Sequence, residues 1–106
     1  MSVVVLNAFS INMLVKASHE VMFTPVTIEE AKALLVSGFS SCVGHPDTAR
    51  VFSSLLGAEV AMNRTSYSFK SEDVLLVGQY TGPRLPEGAS QLPEGATITW
   101  WKVNHK

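Results

Sequence analysis

The run Val3-Val4-Val5-Leu6 constrains the fold more than any other stretch of this chain. Four consecutive branched apolar side chains without alternation predict a strand covered on both faces, and so a central position in a sheet. The run stops at Asn7. From there, Leu6-Asn7-Ala8-Phe9-Ser10-Ile11-Asn12-Met13 interleaves uncharged donors and acceptors with apolar residues. It reads as a strand end opening onto a site, with Asn7, Ser10 and Asn12 able to hydrogen-bond a ligand from a partly buried floor. The competing reading is a polar turn that caps a short helix, because Asn and Ser satisfy nearby backbone groups.

The rest of the chain supplies the partners such a strand needs. The segment from His19 to Val26 has a strand-like centre, with Pro25 suited to its end or to a sheet edge. Thr27-Ile28-Glu29-Glu30 is a capping box, and Ile28, Ala31, Leu34 and Leu35 share one helical face, so a helix is expected over 27–37 with Gly38 as its stop. A second helix is expected after Gly44-His45, with Pro46 in its first turn and Asp47 near its positive end. Val51, Phe52, Leu55 and Leu56 give it an apolar face, and Gly57 ends it. Residues 59–62 form a weak strand candidate, and 65–70 alternate with period two. The clearest strand is Val74 to Tyr80, followed by a break at Gly82-Pro83, and a last strand is expected over about Thr97 to Val103. Trp100 and Trp101 then point to opposite faces. Before that strand, Leu85-Pro86-Glu87-Gly88-Ala89 recurs as Leu92-Pro93-Glu94-Gly95-Ala96, two tandem turns too short to imply a solenoid.

With 106 residues the chain suits a single domain, 1–106, of α/β class: a mixed sheet of about five strands flanked by helices. Hydrophobic residues at 46% against 16% charged argue against intrinsic disorder and leave room for a subunit interface. A net charge of −1 gives no basic stripe for long nucleic acid, so an anionic ligand must be held by local groups. Cys42 is the only cysteine, which excludes an internal disulfide and a cysteine-based zinc set. Without a signal peptide or an apolar run near the ~20 residues of a membrane span, a soluble, cytoplasmic protein with no membrane partner is expected.

His45 is the sharpest chemical candidate, since it immediately precedes a helix start. The free amides of Asp47 and Thr48 are placed to donate to a phosphate oxygen, and His45 to protonate a leaving oxygen beside it. The alternative is a surface loop histidine. His19 and His105 have no comparable setting and read as strand surface and tail. Arg84-Leu85-Pro86-Glu87 leaves the strongest strand, where such folds place ligands. Arg84 can grip a phosphate with its planar fork, and Glu87 can orient or deprotonate a hydroxyl; a solvent ion pair is the alternative. Arg64, after Asn63, is a further anion contact or a solvated surface arginine. No metal-ligand spacing and no nucleotide-hydrolase glycine loop is present, so no cofactor is expected.

Taken together, Leu6 to Met13, Gly44-His45-Pro46-Asp47-Thr48, Asn63-Arg64 and Arg84-Leu85-Pro86-Glu87-Gly88 resemble the marks of the viral and bacterial ring-nuclease family that includes type III CRISPR inhibitors. The resemblance implies a small homodimeric α/β enzyme that degrades cyclic tetra-adenylate without a metal. A ribose 2′-hydroxyl attacks the adjacent phosphorus, leaving linear products with a 2′,3′-cyclic phosphate and switching off type III CRISPR signalling. His45 becomes the general acid and Ser10 a further catalytic residue. Asn7, Asn12, Arg64, Asp47 and Thr48 bind substrate, and Arg84 and Glu87 complete the site. The chain departs from many viral relatives in having a second proline-glutamate-glycine turn where they have a helix. That turn also offers Glu94 as a substitute for Glu87, although no arginine stands three residues before it. A non-catalytic protein that sequesters or senses the same cyclic oligoadenylate is the alternative, and a generic nucleic-acid-binding or structural protein is a third.

Overall fold

The apolar run forms β1 (Ser2–Leu6), in which Val3, Val4, Val5 and Leu6 are all buried. The computed structural model describes residues 2–14 and 20–105. Around β1 the chain lays down a short 3-10 turn at Ile11–Met13, then β2 (Val21–Val26), α1 (Ile28–Leu34), β3 (Ser40–Ser41), α2 (Pro46–Leu56), β4 (Asp73–Thr81) and β5 (Thr97–His105). These strands make one mixed sheet in the order β2-β5-β4-β1-β3, parallel between β1 and its neighbours β3 and β4, antiparallel on the β5 side. This is the single-domain α/β architecture expected from the sequence.

Burial on both faces of β1 follows from two separate cores. Val3 and Val5 point, with Leu76 and Trp100, toward Ala31 and Leu35 of the α1 segment and Ala49, Phe52 and Leu56 of α2. Val4 and Leu6 point the other way, with Leu75, Val77 and Val103, toward Phe69. Both helices therefore lie on one face. On the other face, irregular chain carrying Phe9, Met13, Leu14 and Tyr67 packs over the sheet, and the Phe69 amide donates to the Met13 carbonyl at 2.8 Å to tie two of these segments together. Trp100 joins the helical core and Trp101 packs on the opposite one, as their alternation requires.

Local signals set the helix boundaries. The Thr27 hydroxyl accepts the Glu30 amide at 3.1 Å while the Glu30 carboxylate accepts the Thr27 amide at 2.9 Å, completing the capping box. At its far end α1 is shorter than the spacing predicts. The Leu35 amide turns back to the Lys32 carbonyl at 3.1 Å, tightening the chain into a turn before Gly38, whose φ is +104°. α2 ends at Gly57 in the left-handed region, with φ +64°.

Three further expectations are corrected. Residues 59–62 contribute only an isolated bridge from Met62 to Val43, and 65–70 form no strand: their backbone reaches Met13 rather than a sheet edge. The two-residue β3 was not anticipated, because Ser40-Ser41 carries no apolar pattern. His105 is no tail residue. It is the last residue of β5, aligned with Val21, its ring centroid 4.0 Å from that of Phe69. His19 lies outside the described residues. Pro25 falls on β2, an edge strand, where a missing amide costs no ladder bond on the outer side.

Candidate active site at the start of α2

The carboxyl ends of the three parallel strands converge where the chain leaves in two directions. After β1 it turns onto the face without helices, whereas after β3 it passes through Gly44 and His45 into α2 on the helical face. Such divergence opens a crevice at strand ends. Asn7, at the tip of β1, spans it: its side-chain oxygen accepts the Gly44 amide at 3.4 Å. Arg64 packs beside the same glycine, where a Cβ at Gly44 would make an ordinary contact with Arg64 Cγ at 3.5 Å. Asn63 holds this segment down, donating from its side-chain amide to the Ser41 carbonyl at 2.9 Å and from its backbone to Val43 at 2.8 Å.

On the helical side lies a cavity of about 730 Å³, lined by His45, Asp47, Thr48, Tyr80, Arg84, Leu85 and Glu87. Two segments of low sequence proximity, the helix start and the loop after β4, are thereby brought onto one space. His45 is the N-cap of α2 and makes no side-chain cap bond, so its exposed imidazole is not spent on the helix amides behind it. Those amides and the helix dipole favour an anion at this point. Arg84 brings a planar pair of donors from the facing loop, and Glu87 an exposed carboxylate. The arrangement places a guanidinium, an imidazole and a carboxylate around one volume, within the ~300–1,000 Å³ typical of small-ligand sites.

The structure sorts the sequence-derived candidates into three groups. His45, Asp47, Thr48, Arg84 and Glu87 line the cavity. Asn7 and Arg64 do not line it but contact Gly44, the residue before His45. Ser10 and Asn12 do not line it; the Ser10 hydroxyl accepts the Asn12 amide at 3.2 Å as the N-cap of the 3-10 turn, and both residues are exposed. For that stretch, local capping is what the hydrogen bonds display. Glu94 also lies outside the cavity lining, so of the two repeated turns only the first reaches it. Asp47 has a second employment: one of its carboxylate oxygens accepts both the Gly88 amide, at 3.1 Å, and the Arg50 guanidinium.

Sequence reasoning missed Tyr80 and Leu85. Tyr80 lies on the strand position that faces the helices, and its hydroxyl donates to the Pro83 carbonyl. The signal was available in the alternation of β4, where Leu76, Gly78 and Tyr80 share a face. Cys42 takes no part. It packs on the face without helices, where burial pushes its thiol pKa above the ordinary value.

With this geometry established, comparison with known proteins shows where the chain belongs. The family model described as STIV B116-like matches residues 3–98. Among solved structures, B116 of Sulfolobus turreted icosahedral virus superposes with a TM-score of 0.79 at 22% identity, covering 99% of this chain and 100% of that one. At that identity the likeness establishes the fold. No curated protein sequence matches. The resemblance to a ring-nuclease family is therefore corrected: the family that matches is the STIV B116-like one. Short polar motifs at strand ends and helix starts recur wherever an α/β sheet holds an anion, so they specify a kind of site more sharply than a lineage. Among the described residues, no helix is long and apolar enough to cross a membrane.

Proposed function

The chain belongs to the STIV B116-like family, and for this member we propose a metal-independent ring nuclease that cleaves cyclic tetra-adenylate by 2′-hydroxyl transesterification. One observation carries the reading: His45, Arg84 and Glu87, from segments far apart in the chain, line one cavity at a helix start. The nucleophile belongs to the substrate, so the protein has only to align it, stabilise charge on phosphorus and manage two protons. Glu87 takes the proton of the ribose 2′-hydroxyl as that oxygen bonds to phosphorus. The bond from phosphorus to the 5′-oxygen breaks, and His45 gives that oxygen its proton. The products are a 2′,3′-cyclic phosphate and a free 5′-hydroxyl. Arg84 and the amides at the start of α2 supply the positive charge that the phosphorane needs.

A small ring suits this chain better than a polymer. A net charge of −1 disfavours long nucleic acid, while a compact ligand needs only the local cations. A homodimer would present two such sites to a ring of matching two-fold symmetry. Working in the cytoplasm, the enzyme would remove a second messenger and so silence type III CRISPR effectors. The test is incubation with cyclic tetra-adenylate in the presence of a chelator, with products identified by mass spectrometry. Linear products ending in a 2′,3′-cyclic phosphate support the reading. An intact ring under excess protein defeats it, and tight binding of that intact ring selects capture without cleavage.

A further inference from the structure

Residues 84–87 cross the cavity between two fixed points. On one side the Tyr80 hydroxyl holds the Pro83 carbonyl; on the other, Asp47 accepts the Gly88 amide at 3.1 Å. The second fixed point is part of a longer attachment. Arg50 pairs with Asp47 and donates from Nε to the Ala89 carbonyl at 3.3 Å, and Ser54 donates to the Ser90 carbonyl at 2.7 Å. Asp47, Arg50 and Ser54 stand at i, i+3 and i+7, one stripe of α2, and they grip three successive backbone groups of the loop. Among the described residues the second of the repeated turns shows no such attachment to this stripe, and Glu94 does not line the cavity.

We propose that Asp47 is a positioning residue for the reaction proposed above, on which this inference rests. Its carboxylate joins the helix start that carries His45 to the turn that carries Glu87, and that carboxylate does not bind the substrate. Its Oδ1 is already engaged by two donors, and a carboxylate turned on a phosphodiester would repel it. The Gly88 amide belongs to the planar peptide that begins at the Glu87 carbonyl, so fixing that amide fixes the plane from which the Glu87 side chain departs. A helix N-terminal residue thereby governs a base on a different loop.

The test uses the full chain. In Asp47→Ala, amide exchange at Gly88 should quicken about tenfold, the loss of one charge-assisted hydrogen bond. Turnover of cyclic tetra-adenylate should fall about tenfold or more in kcat, with KM within about twofold. Asp47→Asn keeps an oxygen for Gly88 and should recover most of both. In a Glu87→Ala background, Asp47→Ala should add no further loss, because Asp47 acts through Glu87. A change confined to KM, or losses that multiply in the double variant, would overturn the proposal by making Asp47 a direct ligand. Unchanged exchange at Gly88 overturns it too. Failure of the wild-type protein to open the ring instead defeats the reaction, and the exchange measurement tells the two failures apart.

Discussion

Gly78 in β4 lies so close to Phe52 of α2 that a Cβ on the glycine would sit 2.5 Å from the ring's Cζ. Trp100 closes the same space from β5, where its ring would meet that carbon at 2.7 Å. The Phe52 and Trp100 rings pack with centroids 4.8 Å apart, and this contact seats α2, with His45 at its head, against the sheet. Gly78→Ala should therefore destabilise the fold by about 1–3 kcal/mol, the usual cost of overpacking a filled core. Chemical denaturation reads this as a lower midpoint with an unchanged slope, and a midpoint equal to that of the wild type would contradict the packing described.

His45 is exposed and caps nothing with its side chain, so its removal separates chemistry from folding. His45→Ala should leave stability within about 0.5 kcal/mol of the wild type. Cleavage of cyclic tetra-adenylate should drop about 10²–10⁴-fold, the range for loss of a general acid, while binding of the ring persists. Calorimetric binding alongside single-turnover cleavage checks both halves, and undiminished cleavage would move the acid elsewhere.

The repeated turns offer an internal control. Glu87 lines the cavity and Glu94 does not. Glu87→Gln should slow cleavage at least tenfold at saturating ring concentration, consistent with loss of a base, whereas Glu94→Gln should match the wild type. Comparable losses in both variants would contradict the assignment of the base to Glu87 alone.

On the face without helices, the Tyr67 hydroxyl donates to the carboxylate of Asp73, a residue only 6% exposed. Tyr67→Phe leaves that buried carboxylate short of a donor, and a loss of about 1–3 kcal/mol is expected. Burial, first, and then the hydrogen bond to Asp73 raise the Tyr67 hydroxyl well above its ordinary pKa. For a group raised in this way the neutral form is the one that the fold favours. Its contribution is complete below the unfolded value near ~10 and is lost as pH rises toward the folded one. The stability gap between wild type and Tyr67→Phe should thus hold at neutral pH and narrow in strong alkali. Denaturation at several alkaline pH values measures it, and a gap that widened would reverse the assignment.

What the sequence determined by itself was whatever neighbours in the chain decide. Val3 to Leu6 dictated a strand covered on both faces, Thr27 and Glu30 a helix start, Gly57 a helix stop, and Trp100-Trp101 two opposed indoles, because capping and alternation act over a few residues. His45, Arg84 and Glu87 were legible as residue types placed at a helix start and a strand end. Their meeting in one cavity was decided only by the tertiary structure, since β4 must lie parallel to β1 before the loop after it can face α2. The same holds for β3, whose two serines pair because β1 offers an edge, and for Asp47, whose partner Gly88 is 41 residues away. Contacts across such distances depend on sheet order and register, which local propensity does not encode.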